Sequence, residues 1–386
     1  MKYLPKLLFM TKENTKTAYF NRSSKSPFKK LKIQLKHRLG WLGVPSIMTF
    51  RGFGSHQTSE VFITGMLAED KGLEKPKAEN SRWQNFLSTL KRYSGDQIPN
   101  AKVEVQFNEN KELLLTEETG LFKTSFRFSP KRDKLTSEWA SYTVTLKDNL
   151  TGEDKIFSSS GEILIPGQEA DFGVISDIDD TIIVSHSTRL LRKLRLLLTQ
   201  NARTRKPFPG VEEFYRALHN GEKGKSKNPF FYISSSEWNL YDLIVDFCTF
   251  NNFPKGVFLL REFNSGLYNL WRQGGKNHEH KFDKIYHIFT TFPAMSFVLV
   301  GDNGQHDPEI YSRIAHRFPE RVKAIYIRTI RKQKDPRMLK IMADLEKIDV
   351  QIVFTPDTIN AAQHARSNKF IPENEVEKII EASRDN

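Results

Sequence analysis

Paired carboxylates at the end of a short apolar run are the residues of this chain with the clearest chemical potential. Asp177-Ile-Asp179-Asp180-Thr181 follows residues 172–176, which have the apolar character of a buried strand. Neighbouring carboxylates repel one another and resist desolvation, so they are retained where a cation, usually a metal ion, lies among them. The group therefore predicts phosphate chemistry assisted by a metal ion.

Two further polar groups also stand directly after apolar runs, and a lysine precedes the second of them. They are Ser234, Ser235 and Ser236 after Phe230–Ile233, Asp302 and Asp307 after Phe297–Val300, and Lys281 at the start of a predicted helix. An Asp-x-Asp-x-Thr motif alone arises easily by chance. The joint order of acidic, hydroxyl, lysine and acidic groups is difficult to explain by chance and indicates one functional site.

Some of these positions also have other interpretations. Asp180 and Thr181 equally fit a hydrogen-bonded turn. Asp307, followed by a proline, also fits a helix N-cap with a first-turn proline. Competing residues of the same type are Ser235 for Ser234, and Lys276 and Lys284 for Lys281.

Strands and helices alternate from residue 171 onward, which predicts an α/β fold with a mostly parallel, Rossmann-like sheet and helices on both faces. The predicted strands are Phe172–Ile178, Pro229–Ile233, Gly256–Leu260, Ser296–Val300, Val322–Ile327 and Gln351–Phe354. The predicted helices are Arg189–Leu198, Gly210–Leu218, Trp238–Phe250, Lys281–Phe289, Pro308–Arg317 and Met338–Glu346. Ligands of such sheets bind beyond the carboxyl ends of the strands, where the polar groups stand.

The preceding region has short runs that alternate apolar and polar residues at a period of two, which predicts an antiparallel β-sandwich-like domain. The predicted strands are Val61–Met66, Ala101–Phe107, Phe122–Phe128 and Trp139–Leu146, with one predicted helix at Trp83–Arg92. The predicted divisions are a basic arm with an amphipathic helix over 1–45, the sandwich-like domain over 46–168, the α/β domain over 169–368 and a polar tail over 369–386.

Positive charge is concentrated at the start of the chain. The formal net charge is +13, and residues 1–50 carry nine Lys, two Arg and one Glu. Leucines recur there at helical spacing, at Leu31, Leu35, Leu39 and Leu42. This pattern fits an anionic membrane surface or an acidic partner, and it equally fits a helix that packs its leucines on the domain and solvates its lysines. The arm has no recognised nucleic-acid motif, so we expect no nucleic-acid partner.

The single cysteine, Cys248, excludes an intrachain disulfide and favours a reducing compartment. It lies on the apolar face of a predicted helix, so we expect a buried thiol. No apolar run reaches the length of a transmembrane helix, and residues 1–10 do not form a signal-peptide pattern. We therefore expect a cytoplasmic protein with contact to membranes at most from the surface.

The three groups together resemble the haloacid-dehalogenase superfamily of aspartate-nucleophile phosphatases. The local sequences are similar to one branch, the actin-patch-type phosphatidate phosphatases. The matching segments are Ser176–Ile182, Phe231–Tyr241, Val300–Tyr311 and Val322–Arg328. The resemblance implies a haloacid-dehalogenase-type sheet in the α/β domain. One departure is Glu237, where the family usually has proline, which adds a negative charge near the site.

Phosphoryl transfer assigns a role to each residue. Asp177 is the candidate nucleophile because a carboxylate is ionised at neutral pH, and Asp179 is the candidate general acid and base. The resemblance implies Mg²⁺ bound by Asp177, the backbone carbonyl of Asp179 and Asp302, with Asp307 in support. Oxygen ligands alone fit this ion better than zinc. Phosphoryl oxygens would be held by Ser234 or Ser235, Thr181 and Lys281.

The resemblance further implies hydrolysis of phosphatidate to diacylglycerol at a membrane surface. A second basic stretch, residues 185–209, has seven Lys and Arg residues and no acidic one, which suits phosphatidate or another anionic phospholipid. Two alternatives remain open: a catalytically silent phosphatidate-binding module, and a phosphatase for a soluble phosphoester. The sequence predicts no oligomeric state.

Overall fold

The computed structural model describes most of the region from residue 43 onward and a few residues before it. The described residues are 31–33, 35, 36, 39, 43–70, 96–129, 137–151, 155–178, 208–261, 277–329 and 336–384. They form two sheets, one mixed and one parallel, with helices around the parallel sheet. The predicted helices Trp83–Arg92 and Arg189–Leu198 lie outside the described residues.

The mixed sheet contains the first eight strands. These are β1 (Val44–Thr49), β2 (Gly52–Ser55), β3 (Glu60–Asp70), β4 (Lys102–Phe107), β5 (Asn110–Leu115), β6 (Leu121–Arg127), β7 (Trp139–Leu146) and β8 (Ser158–Leu164). Their order is β1-β3-β2-β8-β7-β4-β5, and β6 pairs with β3. All pairs are antiparallel except β2 with β8.

The inner face of the mixed sheet follows the period of two that the sequence shows. Val103 and Val105 in β4 and Tyr142 and Val144 in β7 are almost fully buried, while the residues that alternate with them are half-buried or exposed. The edges of the sheet approach each other, since the Asn110 side chain on β5 donates to a backbone carbonyl on β6 at 3.5 Å. The strands share one hydrogen-bonded sheet, and the division into two sandwich layers stays a prediction.

The parallel sheet has six strands in the order β11-β10-β9-β12-β13-β14. They are β9 (Gly173–Asp177), β10 (Phe230–Glu237), β11 (Val257–Arg261), β12 (Phe297–Asp302), β13 (Val322–Arg328) and β14 (Ile352–Thr355). The described helices are α1 (Val211–Asn220), α2 (Tyr241–Phe250), α3 (Asn277–Thr291), α4 (Asp307–Arg317), α5 (Pro336–Glu346), α6 (Thr358–Ser367) and α7 (Glu375–Arg384). The predicted α/β class is confirmed.

The two faces of the parallel sheet are covered by separate apolar clusters. One contains α1, α2, α6 and α7, and the other contains α3, α4 and α5. Strand β9, at the centre, is fully buried along its whole length. Because helices occupy both faces, only the strand ends are open to a ligand.

The segment that joins β1 to β2 fastens the mixed sheet to the parallel sheet. Phe50 stacks on Trp238 with ring centroids 4.3 Å apart, and the Arg51 backbone amide donates to the Tyr241 hydroxyl at 2.9 Å. Phe53 packs into the other apolar cluster, edge-on to Phe231 with centroids 5.8 Å apart. These aromatic contacts bring the mixed sheet against the strand that carries the serine group.

The last predicted division needs correction. Residues 369–386 are predicted to be a polar tail, but α7 packs against α1 and α6. Val376 and Ile379 on α7 are buried in the core of the parallel sheet. Their spacing of three residues, with Ile380 beside them, gives the helix one apolar face. The final helix is therefore part of the α/β fold.

The leucine-rich segment before β1 has its leucines exposed, which differs from the predicted arrangement in which the leucines pack on the domain. Residues 31–33, 35 and 36 are helical, but Leu31, Leu35 and Leu39 are exposed. The lysines instead contact the mixed sheet, because Lys36 pairs with buried Glu69 at 2.8 Å. The arrangement with packed leucines and solvated lysines is therefore wrong for the described residues. Among those residues, no helix is both long and apolar enough to cross a membrane.

Candidate active site

Three polar strand ends meet at the carboxyl edge of the parallel sheet. Asp177 is the last residue of β9, which lies between β10 and β12. Ile233 of β10 pairs in register with Asp177, so Ser234 follows it by one residue. Asp302 ends β12 on the other side. Residues more than a hundred positions apart are thus neighbours because adjacent parallel strands end at the same edge.

The second acidic group is built by a loop that folds back on its strand. Asp302 Oδ1 accepts the backbone amides of Gly304 at 2.5 Å and Gln305 at 3.1 Å, which fixes the carboxylate. Asp307 begins α4 and its Oδ2 accepts the Asp302 amide at 3.4 Å. Gly301 makes room for this contact, since a Cβ there would lie 2.8 Å from Asp307 Oδ2.

The helix-cap interpretation of Asp307 is not borne out. Its carboxylate makes no capping hydrogen bond to α4, whose N-cap is His306. The side chain is fully buried and faces Lys281, although its position in the first turn still suits the helix dipole.

Lys281 from α3 joins the two acidic groups. Its Nζ lies 2.7 Å from Asp177 Oδ1 and 2.7 Å from Asp307 Oδ1, and the residue is only 6 % exposed. Burial acts to lower the pKa of Lys281, but the Asp177 and Asp307 carboxylates outweigh it and raise the pKa above the usual value. The lysine therefore stays protonated. Lys284, one of its competitors, points to the Leu259 carbonyl at 3.2 Å, and Lys276 lies outside the described residues.

Asp177, Asp302 and Asp307 each offer one carboxylate oxygen within 4.8 Å of the others, and all three are buried. With Lys281 the cluster has a formal charge of −2, which one divalent cation would neutralise. Such a concentration of buried negative charge is unfavourable by itself. The donor set, which contains only oxygen atoms, fits Mg²⁺ and does not resemble the Cys and His sets of zinc sites.

The serine group has a defined local geometry. Ser234 is buried and its Oγ accepts the Ser236 amide at 2.9 Å, while Ser235 and Ser236 are half-buried. Glu237 ends the strand with φ −86° and ψ 157°, a conformation near that of proline. Its carboxylate pairs with Arg261 at 3.0 Å, and although Arg261 opposes it, burial raises the pKa of Glu237. The extra negative charge is therefore compensated locally.

Other predicted site residues lie outside the described residues. These are Asp179, Asp180 and Thr181, together with most of the basic stretch 185–209. The described part of this region ends at Ile178, one residue after Asp177. The Ile178 backbone amide donates to the Ile233 carbonyl at 3.1 Å. The roles predicted for Asp179 and Thr181 stay predictions.

Arg328 is a cation at the same edge to which the sequence assigned no role. It ends β13 and pairs in register with Asp302. Its guanidinium lies 3.9 Å from the centroid of the Phe208 ring and donates to Thr358 Oγ1 at 3.3 Å. Burial lowers the pKa of Arg328, while nearby Asp302 is among the groups that oppose this change. Its position directly after the predicted strand Val322–Ile327 is the signal that could have identified it.

The comparison with protein families covers the same part of the chain. Residues 172–329 match the family model described as phosphatidate phosphatase APP1, catalytic domain. All four residues of the described cluster fall within this match. The part of the chain that contains them is similar to this catalytic domain. The actin-patch-type resemblance predicted from the three motifs is thereby confirmed for the APP1-type domain.

Two curated relatives extend the comparison. Phosphatidate phosphatase APP1 of Saccharomyces cerevisiae is 28% identical over 267 residues, which cover 67% of this chain and 41% of that protein. An uncharacterized protein of Schizosaccharomyces pombe is 29% identical over 185 residues, covering 47% of this chain and 29% of the relative. The chain with its APP1-type domain thus spans less than half the length of either relative.

Among solved structures, a carbohydrate acetylesterase from Xanthomonas citri aligns with 8% identity and a TM-score of 0.29, over 88% of this chain and 74% of that one. This likeness is too distant to indicate a shared fold or activity.

Proposed function

We propose that the protein is a Mg²⁺-dependent phosphatase that hydrolyses phosphatidate to diacylglycerol through an aspartyl-phosphate on Asp177. The observation that carries the proposal is the buried cluster of Asp177, Asp302, Asp307 and Lys281 within the APP1-type domain. The cluster supplies the charges that phosphoryl transfer needs, and the name of the yeast relative supplies the substrate.

The carboxylates supply a site for the metal ion. Asp177 and Asp302 would hold Mg²⁺, with the Asp179 backbone carbonyl as a third ligand and Asp307 in support. The ion would neutralise charge on the phosphoryl group as a Lewis acid. The formal charge of −2 on the described cluster supports a divalent cation rather than a monovalent one.

The chain's own residues perform the bond changes. An Asp177 carboxylate oxygen attacks phosphorus, and the bond from phosphorus to the leaving oxygen breaks as the new bond forms. Asp179 gives its proton to the leaving oxygen and later takes one from the water that attacks the phosphoenzyme. That second attack releases inorganic phosphate and restores the Asp177 carboxylate.

The remaining residues bind and orient the phosphoryl group. Lys281 contributes positive charge beside Asp177, and its raised pKa keeps it protonated at neutral pH. Ser234 would donate its hydroxyl to a phosphoryl oxygen, with Ser235 and Thr181 as further donors. The protein thus provides donors and cations fixed before the substrate arrives, which lowers the cost of reorganisation.

The proposal includes the haloacid-dehalogenase type for the parallel sheet and a cytoplasmic location at a membrane surface. Support for the fold type is that β9 is a central strand with the nucleophile at its carboxyl end, flanked by the serine strand and the second acidic strand. Support for a reducing compartment is the single, buried cysteine.

The test is phosphate release from phosphatidate in mixed micelles and from a soluble aryl phosphate, each with Mg²⁺ and with a chelator. We expect Mg²⁺-dependent release with a higher kcat/KM for phosphatidate. A preference for the aryl phosphate would replace the lipid by a soluble substrate. Binding of phosphatidate without release from either compound would identify a catalytically silent binding module.

A further inference from the structure

A row of leucines stands exposed before the first strand. Leu31, Leu35 and Leu39 are 61%, 57% and 47% exposed, and they are spaced four residues apart. Leu31 and Leu35 are helical, and the Leu39 amide donates to the Leu35 carbonyl at 3.0 Å, as in a continuing helical turn. This spacing places the three side chains on one face. We call them the leucine ridge.

The opposite face of the same segment is fastened to the mixed sheet. Ile33 is only 1% exposed and belongs to the core of that sheet. Lys32 pairs with Asp96 at 2.6 Å, and Lys36 contacts both Asp96 and Glu69. Partial burial acts to lower the pKa of Lys36, but its hydrogen bonds to these carboxylates outweigh it and raise the pKa.

This arrangement reverses the usual distribution of apolar and charged side chains. An amphipathic helix normally buries its leucines and leaves its lysines in water. Here Lys32 and Lys36 form ion pairs with acidic side chains, and these ion pairs keep the leucine ridge facing away from the mixed sheet. A contiguous exposed apolar row of this kind marks a contact surface.

The chain direction places the leucine ridge on the active-site side of the molecule. Phe53 stacks on Phe292, which precedes β12 and lies at the amino edge of the parallel sheet. Phe50 stacks on Trp238, which follows β10 at the carboxyl edge. The backbone from Phe53 back to Phe50 therefore runs toward the carboxyl edge, and β1 continues in that direction to Val44.

Strand β3 pairs with β1 and binds the segment of the leucine ridge near Val44. Val44 pairs with Asp70, the last residue of β3, and Glu69 beside it holds Lys36. The leucine ridge therefore lies at the end of the mixed sheet toward which the chain runs from Phe53 through Phe50 to Val44.

The charge of the segment decides among possible partners. Residues 1–50 carry nine Lys and two Arg against one Glu, and the two of these lysines that lie in the described part of the chain, Lys32 and Lys36, pair with acids beside the mixed sheet. A partner must therefore be both apolar and anionic. An anionic phospholipid bilayer has both properties, with acyl chains beneath a layer of negative headgroups.

We infer that the leucine ridge inserts into the surface of anionic phospholipid bilayers and presents the carboxyl edge of the parallel sheet to the lipids. The inference deepens the proposed function, on which it rests for the substrate, by naming the residues that contact the membrane. The leucines enter the boundary of headgroups and acyl chains, and the basic residues that neighbour them in the sequence attract the negative surface.

The test is cosedimentation of the full chain with vesicles of phosphatidylcholine and phosphatidylserine that contain no phosphatidate, so that the active site has no substrate to bind. The ridge variant carries Leu31→Ser, Leu35→Ser and Leu39→Ser. The matched control carries Leu113→Ser, Leu115→Ser and Leu339→Ser, whose leucines are 56%, 50% and 59% exposed elsewhere. Far-UV circular dichroism and thermal unfolding establish that both variants fold.

We expect the ridge variant to bind these vesicles roughly a hundredfold more weakly than the wild type, which is about 2.8 kcal/mol. The control should bind like the wild type, and all three proteins should bind less to vesicles of phosphatidylcholine alone. Leu35→Cys, labelled with an environment-sensitive dye, should show a blue shift on binding, because the natural cysteine, Cys248, is buried and the label reports on the ridge.

Equal vesicle binding by the ridge variant and the wild type would overturn the inference. Absence of wild-type binding would overturn it too, and ridge-dependent self-association in light scattering would then identify a second copy of the chain as the partner. Hydrolysis of the soluble aryl phosphate should be the same in the ridge variant and the wild type. If no protein hydrolyses any substrate while vesicle binding depends on the ridge, the proposed function fails and the membrane contact stands.

Discussion

Replacement of Lys281 by methionine should destabilise the protein in a way that Mg²⁺ partly reverses. The ammonium group lies 2.7 Å from one oxygen of Asp177 and 2.7 Å from one oxygen of Asp307. At an effective dielectric constant near 20, each contact is worth roughly 6 kcal/mol before desolvation is subtracted. Removal changes the formal charge of the described cluster from −2 to −3. Breaking a buried pair in this way costs about 3–5 kcal/mol.

The assay is urea unfolding of the wild type and Lys281→Met, each with a chelator and with saturating Mg²⁺. We expect a loss of about 3–5 kcal/mol in unfolding free energy with the chelator. Mg²⁺ should stabilise both proteins by mass action and should restore part of the variant's loss, because a divalent cation offsets the missing charge. Turnover with Mg²⁺ should still fall by about 10²–10³-fold, because a preorganised charge beside the phosphoryl group is lost.

The pH dependence gives a second readout. The folded state raises the pKa of Lys281, so its stabilising contribution is present in full below the unfolded pKa, near 10.4. The contribution is lost only as pH rises through the folded pKa. The difference in unfolding free energy between wild type and variant should therefore be constant at neutral to mildly alkaline pH and shrink only above about 10.4.

Lys284→Met is the matched control on the same helix. Its Nζ donates to the Leu259 carbonyl at 3.2 Å, so this variant should lose about 0.5–1.5 kcal/mol and keep its turnover. The reasoning would be refuted if Lys281→Met unfolded within about 1 kcal/mol of the wild type and hydrolysed substrate at a similar rate. Equal losses in the two variants would also contradict the assigned role.

Three further predictions concern the packing around the site. Phe50→Ala should cost about 3–5 kcal/mol of unfolding free energy, because the buried ring stacks on Trp238. Phe250→Ala, at a ring that is 52% exposed, should cost little. Similar costs in the two variants would contradict a stabilising role for the contact between the two sheets. Burial raises the pKa of Cys248 to about 12, so a thiol reagent at about pH 8 should label only unfolded protein, and rapid labelling of native protein would contradict this. Ile379→Ala should cost about 2–5 kcal/mol by thermal or urea unfolding, and a neutral effect would return the final helix to the status of a polar tail.

The periodic apolar runs predict the parallel sheet well. All six of its predicted strands are present, with ends displaced by a few residues, because runs of four to seven mostly apolar residues leave few alternatives to a strand. The carboxylate cluster could be predicted for the same reason. Asp177 and Asp302 follow such runs directly, and parallel strands bring their ends together.

Several strands of the mixed sheet could not be predicted from the same signal. β2 is Gly-Phe-Gly-Ser, and its glycines serve close backbone approach, because a Cβ at Gly52 would lie 2.4 Å from the Phe62 carbonyl oxygen. β5 is an exposed edge strand in which Leu113 and Leu115 face solvent, so it lacks an alternating apolar pattern. β8 begins with three serines.

The orientation of the leucine-rich segment also could not be predicted from the local spacing of its residues. Helical spacing shows that Leu31, Leu35 and Leu39 share a face, but the acids that bind the other face come from positions distant in sequence. Glu69 is the residue before the last of β3, and Asp96 lies a further 27 positions along the chain. Likewise, the sequence could place Lys281 on a helix, which begins earlier than predicted, at Asn277, but could not show that the lysine lies between two carboxylates.

The phosphorylation state of Asp177 during turnover tests the central claim most directly. Wild-type protein quenched with acid during hydrolysis in the presence of Mg²⁺ should yield, by mass spectrometry, a phosphorylated peptide whose modification maps to Asp177. Asp177→Asn should yield no such peptide and release no phosphate. Retained hydrolysis in Asp177→Asn, or turnover in the wild type with the phosphoryl group on another residue, would contradict the account.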